Sequence, residues 1–121
     1  MGFKFSPIQK IDFPIVNEND EPIKAYTLDV GSESFVRAMI EKGARIVQLA
    51  KDIAERPDGY EMLAAALREF IDFSLGAGEY DFLFEKFNRN IFAMIELSRA
   101  ITSEGGKALD AKMKQTAALY E

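Results

Sequence analysis

Cysteine, histidine and tryptophan are all missing from the chain. With no cysteine there is no disulfide framework and no thiol nucleophile. With no histidine as well, the usual Cys/His zinc sites and every histidine-based triad are excluded. Long apolar runs are also lacking. No stretch approaches the length of a membrane span, and "MGFKFSPIQK" has no apolar core of signal-peptide length. That start does fit the short myristoylation pattern Met-Gly-x-x-x-Ser. Positive charge is in deficit, with 15 Lys and Arg against 20 Asp and Glu for a net charge of −5. This balance argues against a general nucleic-acid binder, whose affinity comes mainly from neutralising phosphates.

What is present describes an ordinary folded chain. Of its 121 residues 48% are apolar and 29% charged, enough for a packed core and too apolar for disorder. One domain, residues 1–121, is expected from this length. The first thirty residues differ from the rest. Ile11, Phe13 and Ile15 alternate with polar or proline positions in "IQKIDFPIV", and "IKAYTLDV" repeats the alternation, the period of a half-buried strand. Between them "NENDEP" gathers Asn, Asp and Pro, which favour turns. A β-hairpin over residues 8–30 follows, with Pro14 at an edge or facing away from its partner because it has no N–H to donate.

Helices follow the hairpin. Ser32 is a suitable N-cap and Glu33 suits the positive end of a helix. The spacing of Phe35, Met39, Ile40, Ile46, Val47, Leu49, Ala50 and Ile53 predicts a helix ending near Glu55, because Pro57 disfavours helical geometry just before it. A second helix is expected over 60–75, with Gly76 as its left-handed stop. A third begins near Glu79. Tyr80, Phe84, Phe87, Ile91, Met94, Ser98 and Ile101 step by four and three residues along one seam, predicting a single continuous helix. "SEGGK" is expected to interrupt it, leaving 104–121 as a weakly ordered or helical tail behind a 32–103 helical core. The fold class is α+β: an N-terminal β-hairpin followed by a three- to four-helix bundle.

The chemistry-bearing patterns are weak. Asp12, Asp29 and Asp72 have no spacing that specifies acid–base work, and acids on such elements mostly keep surfaces solvated. The acidic turn lacks the alternating ligands, central glycine and terminal glutamate of a helix-loop-helix calcium loop. "GAGEY" joins two helices and lacks the Lys-Ser/Thr pair of a phosphate loop. Lys86 and Arg89 beside aromatics could serve base stacking, but Phe84 and Phe87 belong to the packing seam. Neither cofactor nor metal is expected, and the enzyme reading ranks last. Ten phenylalanines and four tyrosines, however, exceed what one packed face requires in so small a domain. The surplus is assigned to a partner face of Phe82, Leu83, Phe87, Phe92, Met94 and Ile95, with core and interface both open for these third-helix residues.

Three segments carry a family resemblance: Asp-Phe-Pro-Ile-Val at 12–16, Thr-Leu-Asp-Val-Gly at 27–31, and Gly-Glu-Tyr-Asp-x-Leu-Phe at 78–84 followed by Asn-Arg-Asn at 88–90. In their order the chain resembles the tail assembly chaperones of long, flexible-tailed phages and related prophages of Gram-positive bacteria. The likeness covers nearly the whole chain and weakens after Glu104. It implies a non-enzymatic protein that binds the tape-measure protein and keeps it soluble until tail-tube subunits polymerise around it. It also implies residence in the cytoplasm of the bacterial host, absence from the mature virion, and a longer frameshifted form that recruits tail-tube protein. Physical reasoning adds a homo-oligomer built through the hairpin edge or the third-helix seam, without nucleic acid or membrane. Competing expectations are a small adaptor or inhibitor of one host or phage partner, and a structural virion connector.

Overall fold

The computed structural model describes residues 2–3 and 10–120. Strands β1 (Lys10–Val16) and β2 (Pro22–Asp29) pair antiparallel in a two-stranded sheet. The hairpin expected from residue 8 thus begins at Lys10, and positions 8 and 9 lie outside the described residues, as does Ser6 of the myristoylation pattern. Ile11 pairs with Leu28 and Phe13 with Tyr26. One face therefore carries the apolar set onto the helices, while Lys10, Asp12, Thr27 and Asp29 remain exposed. Pro14 pairs opposite Ala25 in a strand with one open edge, as its missing donor requires. Asn17 organises the turn, its Oδ1 accepting from the backbone N–H groups of Asn19 (2.8 Å) and Glu21 (2.9 Å).

Four helices follow. Helix α1 (Glu33–Asp52) starts at Ser32, whose hydroxyl accepts from the Phe35 N–H. A 3-10 turn, Ile53–Glu55, then runs to an extended Arg56 ahead of Pro57. Helix α2 (Gly59–Leu75) is the centre of the molecule: it touches α1, β2 and both later helices, and its Leu63, Leu67, Phe70 and Ile71 are fully buried. Burying each such side chain contributes about 1.5–3 kcal/mol before entropy is charged against it. Gly76 ends α2 with φ 131° and ψ 155°, a backbone region open in practice only to glycine though not the left-handed helical one expected.

The third helix is not continuous. Helix α3 (Glu79–Lys86) stops after two turns, and α4 (Ile91–Ala118) begins afresh. The Arg89 N–H reaches the Phe84 carbonyl (2.8 Å) and the Asn88 N–H that of Glu85 (3.1 Å), while both residues take positive φ (55° for Arg89 and 59° for Asn88). This paired pattern is a Schellman stop built without glycine. Asn90 then caps α4, its Oδ1 accepting from the Phe92 N–H at 2.9 Å. "Asn-Arg-Asn" is therefore punctuation, and the seam that appears unbroken in the sequence belongs to two helices.

A second correction concerns "SEGGK", which does not interrupt α4. Gly105 is buried where α4 crosses α1, and the Met39 methyl occupies the space a Cβ would need. Its glycine is a packing notch. Residues 104–118 are consequently the same helix as 91–103, and α4 is roughly 42 Å long at 1.5 Å per residue.

Candidate partner-binding surface

Two residues of the expected partner face are core. Leu83 and Met94 are both 0% exposed and belong to the hydrophobic core, so neither can touch a partner. This corrects their assignment. Phe87 and Ile95 are half-buried and pack against the core edge. Phe82 is partly open on α3, with the Lys24 and Lys86 ammonium groups 5.4 and 5.6 Å from its ring centroid. That placement gives the ring a cationic rim. Phe92, 72% exposed, is the one of the six that stands free in solvent.

The geometry of α4 explains why its two flanks differ. Phe92, Ile95, Arg99 and Thr102 step by three and four residues, so they share one flank of the helix. That flank continues into a groove of about 370 Å³ against α1, lined by Ile40, Ala44, Val47, Arg99 and Thr102. Gly43 forms part of its floor and lets α1 approach the Thr102 side chain closely. On the other flank Ala93, Glu96 and Leu97 face β1 across a trough of about 300 Å³, with Phe13, Val16 and Phe87 on its far side. Farther along, residues 108–116 overhang a third groove of about 240 Å³ whose floor is Val30 and Val36. One helix thus borders three surface recesses, of which the one against α1 is the most apolar.

Some exposed apolar groups were not signalled by the sequence. Phe73 belongs by spacing to the buried stripe of α2, yet it is 40% exposed and stacks on Phe35 at 5.1 Å, with Lys42 over its face. Val47, one of the apolar residues whose spacing predicts α1, lies on the groove rim. Helical period alone separates a buried stripe from its borders poorly, since borders depend on where neighbouring helices end.

Two acidic side chains tie elements of the fold together. Asp72 on α2 accepts from the Tyr80 N–H (2.9 Å) and so supplies the start of α3 with a cap. Glu79 joins hairpin to bundle: its carboxylate accepts from Lys24 (2.5 Å) and from the Tyr26 hydroxyl (2.6 Å). The Lys24 hydrogen bond, followed by that of Tyr26, holds the Glu79 carboxyl below its ordinary range. Burial, then the bond to Glu79 and its charge, pushes the Tyr26 hydroxyl up. The signs are opposite. A lowered carboxyl stabilises the fold above its ordinary value of 4.5 and loses that contribution as pH falls through the lower folded value. A raised tyrosine contributes fully below 10.0 and loses its contribution as pH climbs from there through the raised value. Thermal melts across pH are expected to show both losses, Glu79→Gln removing the acid one and Tyr26→Phe the alkaline one. Unchanged pH profiles in both variants would contradict the clamp.

Among the described residues no group of three or more Asp or Glu side chains is placed to hold a metal ion, and no helix is long and apolar enough to cross a membrane. What the surface offers chemically is apolar contact bordered by charge. Comparison of the chain with protein-family models, curated proteins and solved structures finds no match.

Proposed function

We propose that this chain is a non-enzymatic tail assembly chaperone of a flexible-tailed phage or prophage, binding the helical tape-measure protein and keeping it soluble during assembly. The observation that carries the reading is the open flank of α4, which begins at the exposed Phe92 and runs into the apolar groove against α1. An amphipathic client helix laid in such a groove would bury the apolar face that otherwise drives aggregation. Phe92 provides the kind of aromatic anchor that dominates interface energies, and Val47 and Ile40 provide a wall. The resemblance in the 12–16, 27–31 and 78–90 segments supports the same assignment, and with it a bacterial cytoplasmic location and absence from the finished virion.

Co-expression tests this directly. The tape-measure protein encoded alongside is expected to move from the pellet to the soluble fraction and to co-purify with the chain. A client that precipitates equally with and without it, or a chain that turns up in purified particles, would contradict the assignment.

A further inference from the structure

The groove between α1 and α4 carries charge of one sign on its two walls. On α1, Ile40, Ala44, Val47 and Lys51 step by four, three and four residues and share one stripe, as Phe92, Ile95, Arg99 and Thr102 do on α4. The helices run antiparallel: a Cβ at Gly43 would meet Thr102, whereas Met39, one turn earlier on α1, meets Gly105, farther along α4. Stepping back from Thr102 therefore brings Arg99 level with Val47, and the Phe92–Ile95 end level with Lys51. The two cations stand on opposite walls, roughly 7 Å apart along the groove at 1.5 Å per residue.

Both cations are exposed, and among the described residues neither has a carboxylate within ion-pair distance. The two stripes hold no acidic residue, although the chain has 20 Asp and Glu against 15 Lys and Arg. The nearest acids in sequence turn elsewhere. Glu96 lines the trough on the opposite flank of α4, and Asp52 accepts from the Gln48 amide at 3.1 Å. Between the cations the lining is apolar, with Ile40, Ala44 and Val47 on one side and Phe92 at the end. An apolar floor with a positive shoulder on each wall is the complement of a helix with an apolar stripe and acidic shoulders.

We propose that the groove selects amphipathic helices bearing an Asp or Glu on each shoulder of the apolar stripe, one to two turns apart, to face Lys51 and Arg99. This rests on the assignment of the groove to a client helix and adds which helices it accepts. Apolar contact with Phe92, Ile40 and Val47 supplies the affinity. The rim cations add little to it, being exposed, but a lysine-flanked helix would meet like charge on both walls. Nucleic acid is a poorer occupant, because two cations over an apolar floor in a chain of net charge −5 neutralise few phosphates.

Fluorescence anisotropy of the full chain with two labelled peptides is the test. Both are amphipathic helices of about 20 residues, long enough to be helical, with one leucine stripe and either Glu or Lys on its shoulders. The Glu peptide is expected to bind roughly tenfold tighter at low salt, the gap closing as salt rises. Lys51→Glu with Arg99→Glu is expected to reverse the preference, and Phe92→Asp to lose both peptides. All three positions are exposed, so thermal melts stay at the wild-type level. Equal binding of the two peptides would overturn the charge selection while leaving the groove a helix site. Binding of neither would overturn the selection and the groove assignment together. A preference that survives the double reversal would place the contact elsewhere, and displacement of the Glu peptide by an equimolar single-stranded oligonucleotide would assign the cations to phosphates; each overturns the proposal.

Discussion

Phe92→Asp is expected to melt like the wild type yet lose the proposed tape-measure client, whereas Met94→Asp, two positions along the same helix, is expected to unfold the chain. The contrast follows from exposure: 72% for Phe92 and 0% for Met94. A carboxylate replacing Phe92 stays in water and costs stability little, but it places charge where an apolar helix would lie. A carboxylate replacing Met94 enters a site walled by apolar side chains with no donor prepared for it. Burying a charge unpaired costs several kcal/mol, a large part of the roughly 5–15 kcal/mol that holds a domain together. Phe82→Asp should resemble Phe92→Asp in folding, with the new carboxylate drawn to Lys24 and Lys86. Circular dichroism melts and a client pull-down on the same preparations read both halves.

The second large effect concerns the α1–α4 crossing. Gly43→Leu is expected to destabilise the fold by about 3 kcal/mol, because a Cβ there would stand 2.6 Å from the Thr102 hydroxyl before the rest of the side chain is placed. The Thr102 hydroxyl is itself tied back to the Ser98 carbonyl at 2.8 Å, so it cannot swing aside without losing that bond. In a chain of this size the loss corresponds to a drop of roughly 10 °C in Tm. Gly106→Ala, on the same helix but with open space around it, is expected to raise stability by up to about 1 kcal/mol through helix propensity. Equal effects from the two substitutions would mean that the notch between the helices is not what the glycines provide.

The hairpin and the first two helices were legible because each carries its own local signal. Alternation marks Ile11, Phe13 and Ile15, Ser32 marks a helix start, and Pro57 and Gly76 mark stops. The later half was harder for two physical reasons. Asn88 and Arg89 stop α3 in a left-handed conformation that glycine usually supplies, and the four-three seam from Tyr80 to Ile101 runs across that stop undisturbed. Conversely, Gly105 and Gly106 have the composition of a break, yet one of them is a contact with Met39, a tertiary fact with no local signature. The partner face divided along the same line. Phe92 is exposed and Phe82 partly so, while Leu83 and Met94 are core, since a helix of only two turns and its successor turn different sides to α2. The Asn-Arg-Asn triplet held the missing information, as a Schellman stop followed by an N-cap.

Hydrogen–deuterium exchange on the chain with and without a tape-measure fragment addresses the role of α4 most directly. Binding is expected to slow exchange along 91–103 and in the facing stretch 40–47 of α1, leaving the exposed face of α2 unchanged. Protection confined to α2 or α3, or no change anywhere while the fragment is bound, would contradict a client helix seated on α4.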